Sequence, residues 1–372
     1  MLLKDKKEVV NIKRQNGNES KLNRNKKDQE HFRGSLIGGA IGDALGHPVE
    51  FMNCRSILDK FGEEGITDLV SPESGLAEIT DDTQMTLFTA EGLIRAEARW
   101  TDRGICHPPR VVYHAYLRWL ATQGYSRLED YDWIYDGWLL GIKELHKRRA
   151  PGSTCLSALA SVKMGDPKNP INNSKGCGGV MRAAPAGLVF SKEKAFEMGM
   201  EFAAITHGHP SGYLPAGALA FIVASIINGE DLQTAVNDSI KFLKSYRKHE
   251  ESSASLKQAK ELAQSDLKDV DAICRLGEGW IGEEALAISV YCALKYRNNF
   301  SRAVIAAVNH SGDSDSTGAI TGNILGAYLG LSSIPEAWVE KLELKDVIMH
   351  LADDLLTGYE ESREWREKYP GY

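Results

Sequence analysis

Between residues 36 and 45 the chain reads LIGGAIGDAL, and the spacing of its apolar side chains decides the fold class. Leu36, Ile37, Ala40, Ile41, Ala44 and Leu45 recur at the i, i+4 rhythm of one helix face. Similar stripes return at 107–121, 211–227, 281–296 and 342–356, and no convincing strand lies between them. Gly and Pro punctuate these segments at GHP (46–48), PG (151–152), DPKNP (166–170) and HGHPSG (207–212), so helices are joined by loops. The polar stretch 241–270, containing SYRKHEESS, reads as an exposed helical hairpin. The expectation is a single compact all-α domain over residues 34–372.

Residues 1–33 differ from this pattern. They hold ten Lys or Arg against five acids, a net +5, which leaves −12 for the rest of a chain whose total is −7. With Val9, Val10 and Ile12 as its only apolar knot after the first three residues, the stretch cannot bury enough surface to fold alone. It reads as a basic polar arm, either solvated or docked on an acidic partner or on the protein's own surface.

The 372 residues are 42% hydrophobic and 26% charged, a globular rather than a disordered composition. The acidic balance excludes whole-body attraction to nucleic acid or to an anionic membrane, so a phosphate ligand needs a local site. The longest apolar run, Ala216 to Ile227, falls short of the roughly 18 to 20 residues that span a bilayer, so no transmembrane segment is expected. The start MLLKDKKEVV lacks a signal peptide's apolar stretch, which makes a cytoplasmic location the expectation. Six cysteines, Cys54, Cys106, Cys155, Cys177, Cys274 and Cys292, form no CxxC pair and read as buried free thiols.

Two acidic clusters precede segments with helical spacing: Thr80-Asp81-Asp82 in ITDDTQM and Asp313-Ser314-Asp315-Ser316 in NHSGDSDSTG. Asp, Ser and Thr are ordinary helix caps, since their oxygens accept from free N–H groups and the helix dipole favours negative charge there. One carboxylate suffices as a cap, however, and its neighbours repel it unless a cation compensates. Four carboxylates with two hydroxyls make an all-oxygen donor set suited to Mg²⁺ or Mn²⁺ rather than Zn²⁺. The clusters lie more than two hundred positions apart, so their convergence is an inference about the fold. Asp43, inside an apolar helix, either reaches the site or pairs internally, and reads as a support behind it.

Six strings, GGAIGDALGHPVEF (38–51), ITDDTQM (79–85), GCGGVMRAAP (176–185), THGHPSGYLPAGALA (206–220), GEGWIGEEALAISVYCAL (277–294) and GDSDSTGAITGNILGAYLG (312–330), together resemble the ADP-ribosylglycohydrolase family in its own order. The form with GEGW and EEALA is most similar to the bacterial dinitrogenase-reductase-activating type. The resemblance covers residues 34 to about 358 and implies an all-α domain with two Mg²⁺ or Mn²⁺ ions in a binuclear cleft. It implies Thr80, Asp81, Asp82, Asp313, Asp315 and Ser316 as metal ligands, with Ser316 standing where many members have Thr and keeping the hydroxyl. Glu50 matches a family glutamate beside the metals that helps gate or orient substrate and water.

The implied ligand is ADP-ribose. Its diphosphate needs donors that approach without side-chain bulk, and Ser174-Lys175-Gly176-Cys177-Gly178-Gly179, with a helix expected near Val180, offers backbone N–H groups. His207 matches a family histidine at the nucleotide portion, and Trp280 is placed to stack on sugar or base. The implied reaction is metal-dependent hydrolysis of the N-glycosidic bond to a modified arginine on a protein, through an oxocarbenium-like state. Asp81, Asp82 and Glu50 all remain open as acceptor of the water's proton. Serine-linked or other ADP-ribose conjugates are the alternatives within that class. From a different class comes an immunity or binding protein whose residues 1–33 dock on an ADP-ribosylating toxin, alone or alongside hydrolysis.

Overall fold

Backbone placement in the computed structural model is described for residues 25–72 and 75–371. Seventeen α-helices follow in order: α1 (Gln29–Gly46), α2 (Cys54–Phe61), α3 (Asp81–Arg103), α4 (Pro108–Thr122), α5 (Ser153–Ala160), α6 (Ala184–Val189), α7 (Lys192–Ala204), α8 (Pro210–Ile227), α9 (Leu232–Leu243), α10 (Glu250–Ala263), α11 (Asp269–Leu276), α12 (Gly282–Lys295), α13 (Phe300–Val308), α14 (Ser314–Leu329), α15 (Glu336–Lys341), α16 (Lys345–Thr357) and α17 (Arg363–Lys368). Among the described residues there is no strand, only isolated bridges from Ala77 to Leu342 and from Gly176 to Ile281. The all-α expectation holds, and the stripes at 107–121, 211–227, 281–296 and 342–356 fall on α4, α8, α12 and α16.

The centre is the antiparallel pair α1 and α14. Glycine recurs at every fourth position of both, Gly34, Gly38, Gly42 and Gly46 against Gly318, Gly322, Gly326 and Gly330. A Cβ added at Gly38 would lie 2.5 Å from the Gly322 carbonyl oxygen, and one at Gly322 would lie 1.9 Å from that of Gly38. The two backbones therefore touch, which no side chain permits. This contact sets the end of α1, with His47 and Glu50 just beyond it, beside Asp315 at the start of α14. Apolar spacing alone does not reveal this glycine stripe, because it registers side chains and not their absence.

Helix α8 is long and apolar enough by composition to cross a membrane, yet 94% of it is buried inside the bundle. It packs against α7, α6, α9, α12 and α14 and so forms the middle of the core.

Two boundaries differ from the sequence reading. Residues 29–33, grouped with the arm by charge, form the first turns of α1: Phe32 is fully buried, and the Arg33 Nε donates to Asp353 at 2.7 Å. Charge counting overlooks a single aromatic that anchors a turn. Lys26 is also fixed, its N–H donating to the Ile227 carbonyl at 2.8 Å, whereas residues 1–24 of the expected arm lie outside the described residues. The expected hairpin at 241–270 is instead one helix, α10, between two turns. Its Leu256, Ala259 and Leu262 are buried, a stripe diluted by the surrounding polar residues.

The backbone contact predicts that Gly322→Ala destabilises by about 2 to 3 kcal/mol, overpacking outweighing the better helix propensity of alanine. Gly141→Ala, where the added atom meets nothing within 4 Å, should change stability by less than about 0.5 kcal/mol. Urea unfolding of both variants checks this, and equal midpoints would remove the packing argument.

Candidate metal and ligand site

Helix α3 starts at Asp81 with Thr80 as its cap, the Thr80 hydroxyl accepting from the Asp82 N–H at 3.2 Å. Helix α14 starts at Ser314 with Asp313 as its cap, accepting from the Ser316 N–H at 3.3 Å. One residue of each cluster is thus the helix cap, Asp315 shares the Ser316 N–H at 2.9 Å, and Asp81 and Asp82 are in excess of the capping work. The two helix N-termini converge on one cavity of about 320 Å³, whose wall includes Glu50, Asp81, Asp82, Asp313, Asp315 and Ser316. The four aspartates are each no more than 5% exposed.

Asp43 makes the turn before α3 possible. Fully buried, it accepts from the backbone N–H groups of Thr80 at 2.9 Å and Thr83 at 3.1 Å and from the Thr83 hydroxyl. It therefore pairs internally and holds the first cluster from behind. On the other side Asp81 accepts from the Gly152 N–H at 3.1 Å, and its own N–H donates to the Arg149 carbonyl at 3.3 Å. Arg149 is in turn clamped by Glu343 and Glu78.

Crowding and burial dominate the electrostatics. Burial first, then the charges of Asp43 and Asp313, push Asp81 up to about 8. Burial and neighbouring carboxylates likewise hold Asp82 and Asp315 well above the usual carboxylate range, and Glu50 is raised by burial foremost. The Asp82 Oδ2 and Glu50 Oε2 atoms are buried without a hydrogen-bond partner. Ligand atoms of His47, Glu50 and Asp315 all lie within 4.8 Å of one another. Clustered acids, two orphaned carboxylate oxygens and a hydroxyl at Ser316 fit a hard divalent cation. Thr80, behind the first turn of α3, is not part of the cavity wall.

The opposite wall comes from Gly176, Cys177, Gly178, His207 and Trp280. The expected donor loop is partly committed: the Gly176 N–H donates to Ser174 Oγ at 3.2 Å, and the Cys177 N–H donates to the Trp280 carbonyl at 3.1 Å. Ser174, Lys175 and Gly179 lie outside the wall. Ser174 meets the Thr154 hydroxyl at 3.1 Å, Lys175 pairs with Glu251 at 2.6 Å, and Gly179 packs on Ala203. The helix expected near Val180 is a short 3₁₀ turn, Cys177–Gly179, and α6 begins only at Ala184 with Pro185 in its first turn. Trp280 is 37% exposed at the mouth and stacks on Phe51, with centroids 5.4 Å apart. Phe51 holds a φ of 64°, a strained conformation for a bulky residue.

Several residues of the site escape sequence reasoning. The Cys177 side chain, read only as a buried free thiol within the donor loop, donates to Asp313 Oδ2 at 2.7 Å in the cavity wall. His47 stands beside Glu50 and Asp315. Phe51 carries the mouth's aromatic contact. Only the adjacency of His47 and Phe51 to Glu50 in GHPVEF hints at their place.

Comparison with known proteins agrees with this geometry. A family model described as ADP-ribosylglycohydrolase matches residues 24–365. The chain is 26% identical to the ADP-ribosylhydrolase ARH3 of Mus musculus, over 89% of this chain and 92% of that protein. It is 25% identical to the ADP-ribosyl-[dinitrogen reductase] glycohydrolase of Rhodospirillum rubrum, over 84% and 90%. It is 26% identical to the ADP-ribosylarginine hydrolase Tri1 of Serratia proteamaculans, over 87% and 78%. A solved structure titled ADP-ribosylglycohydrolase-related protein complex shares the fold with a TM-score of 0.56, covering 90% of this chain and 99% of that one.

Acids raised above their unfolded values favour the protonated form in the fold. Without a cation their contribution to stability is complete below the unfolded carboxylate pKa of about 4 and is lost as pH rises through the folded values, about 8 for Asp81. In chelator, Asp82→Asn should therefore melt above the wild type at pH 8 and no higher at pH 3. Mg²⁺ at one hundred times its Kd should restore about 2.7 kcal/mol to the wild type. Thermal melts that show neither the pH difference nor the Mg²⁺ gain would refute a cation site.

Proposed function

Because the chain belongs to the ADP-ribosylglycohydrolase family, we propose that it hydrolyses the N-glycosidic bond of ADP-ribosylated arginine on proteins, using two Mg²⁺ or Mn²⁺ ions. The observation that carries this reading is the convergence of Asp81, Asp82, Asp313 and Asp315 on one cavity, faced by His207 and Trp280. One relative, an ADP-ribosylarginine hydrolase, supports arginine as the linkage. Serine-linked and other ADP-ribose conjugates are the competing substrates. We place the activity in the cytoplasm, in keeping with six free cysteines.

Asp81, Asp82, Asp313, Asp315 and Ser316 would hold the ions, with Thr80 supporting the first cluster. When bound, such ions supply positive charge for the ribose hydroxyls and acidify water. The residues divide the remaining work. Asp81 Oδ2 is engaged by Gly152, whereas Glu50 keeps an oxygen without a partner at the cavity wall. Burial strengthens Glu50 as a base, so it is the group we assign to orient the attacking water and take its proton. Gly176 and Gly178 bring backbone close to the ligand, and the Phe51–Trp280 pair bounds the mouth where the modified protein enters. Charge development on the ribose ring would be met by these buried carboxylates, each aspartate no more than 5% exposed.

A second reading concerns the basic stretch. Its +5 against −12 for the remainder supports residues 1–33 as a contact for an acidic partner, such as an ADP-ribosylating toxin.

The first reading is tested by ADP-ribose release from an arginine-ADP-ribosylated protein, with Mg²⁺ and with chelator. Asp313→Asn is expected to lower release at least about 100-fold, and release that persists in chelator would overturn the assignment. Turnover confined to a serine-linked substrate would move the linkage. Deletion of residues 1–24 should preserve release while weakening a toxin complex, and unchanged affinity would dismiss the second reading.

A further inference from the structure

Behind the ligand wall lies a buried cation held by neutral groups. Arg182 is fully buried and, among the described residues, has no carboxylate within ion-pair distance. Its Nη1 points at the sulfurs of Met85 and Cys155, each at 3.2 Å, and its guanidinium lies 4.3 Å from the Tyr116 ring centroid. Its Nη2 donates to the Thr206 hydroxyl oxygen at 2.6 Å and, more weakly, to the Phe202 carbonyl at 3.4 Å. Burying a cation is costly, and this one is held mainly by a hydroxyl, a ring face and sulfur.

The Thr206 hydroxyl has a single proton to give. His207 Nδ1 lies 2.8 Å from its oxygen, while the Ala203 carbonyl lies 3.4 Å away. The closer acceptor wins, and a hydroxyl that accepts from a guanidinium is polarised into a stronger donor. His207 Nδ1 then carries the lone pair and Nε2 carries the hydrogen. Nε2 lies beside the glycine loop: a Cβ at Gly176 would stand 3.1 Å from it and one at Gly178 would stand 3.4 Å away. It makes no hydrogen bond within the described protein, and His207 belongs to the cavity wall.

We propose that Arg182 and Thr206 are positioning residues that lock His207 as a neutral Nε2–H donor aimed at an anionic oxygen of the ligand, a phosphate of the ADP-ribose diphosphate. The ligand half of this statement rests on the proposed function, and the tautomer half does not. Burial and the Arg182 charge push His207 down to about 3, so the ring stays neutral and the donor does not depend on solution protons. The arrangement also explains glycine at 176 and 178, where a side chain would crowd the imidazole edge.

The test is nitrogen NMR of the full-length protein with ¹⁵N-labelled histidine, the His207 signals being assigned by their loss in His207→Gln. Wild type and Thr206→Ser should show the Nε2–H tautomer alone, and Thr206→Val, with that lock removed, should admit a measurable share of Nδ1–H. In parallel, Thr206→Val should weaken ADP-ribose binding and raise KM about tenfold, with a smaller change in kcat, and Thr206→Ser should restore both. A wild-type Nδ1–H signal overturns the proposal even where Thr206→Val fails to fold. So does a Thr206→Val protein with unchanged tautomer and affinity. An Nε2–H signal in a protein that does not bind ADP-ribose upholds the lock and overturns the ligand assignment alone.

Discussion

The backbone contact between α1 and α14 is the constraint on which the remaining architecture depends. Glycine at each turn of both helices removes the side chains that would hold them apart, so that carbonyl oxygens of one lie against α-carbons of the other. Weak hydrogen bonds from Cα–H groups to carbonyls favour such close pairs. Each glycine weakens its own helix by about 1 kcal/mol relative to alanine, so neither helix is strongly formed alone. Pairing is what makes them stable, and pairing in antiparallel register brings the end of the first to the beginning of the second.

Everything acidic in the site follows from that register. Gly46 sits against Ser314 and Asp315, the loop after α1 presents His47 and Glu50 beside Asp315, and Asp43 anchors the turn that opens α3. Two helix dipoles point positive ends at the same small volume, which lowers the cost of gathering carboxylates there without removing it. The site resolves the remaining repulsion either by protonation, which the elevated Asp81 expresses, or by a cation. A single packing decision thus creates both the cavity and its affinity for positive charge.

Much of this is legible in the sequence, unevenly. The helices are readable because their buried faces are continuous stripes, and the acidic clusters are readable because capping requires one carboxylate and each cluster offers more. The convergence of Asp81 with Asp313 across more than two hundred residues is not readable from spacing. Only a resemblance spread over six strings supplies it, and the fold then accounts for it. Lys175 looks like a phosphate ligand on composition, but Glu251 and Glu283 turn it elsewhere, and no local pattern announces such distant partners. Cys177 fails in the opposite direction: a thiol in a glycine-rich stretch resembles filler until Asp313 is seen beside it. Phe32 shows a third kind of failure, since one aromatic in a basic segment escapes any average taken over the segment.

Helix α8 carries a consequence for how the chain is made. Its eighteen residues, mostly apolar, are covered in the finished bundle by α7 and by α12 and α14, and those last two are synthesised later. At roughly 5 to 20 residues per second a ribosome takes on the order of ten seconds to pass from the end of α8 to the end of α14. Through that interval a membrane-length greasy helix waits half-clothed beside its earlier neighbours. The nascent protein is thus a natural client for chaperones, and a message truncated before residue 314 would yield not a smaller enzyme but a sticky fragment.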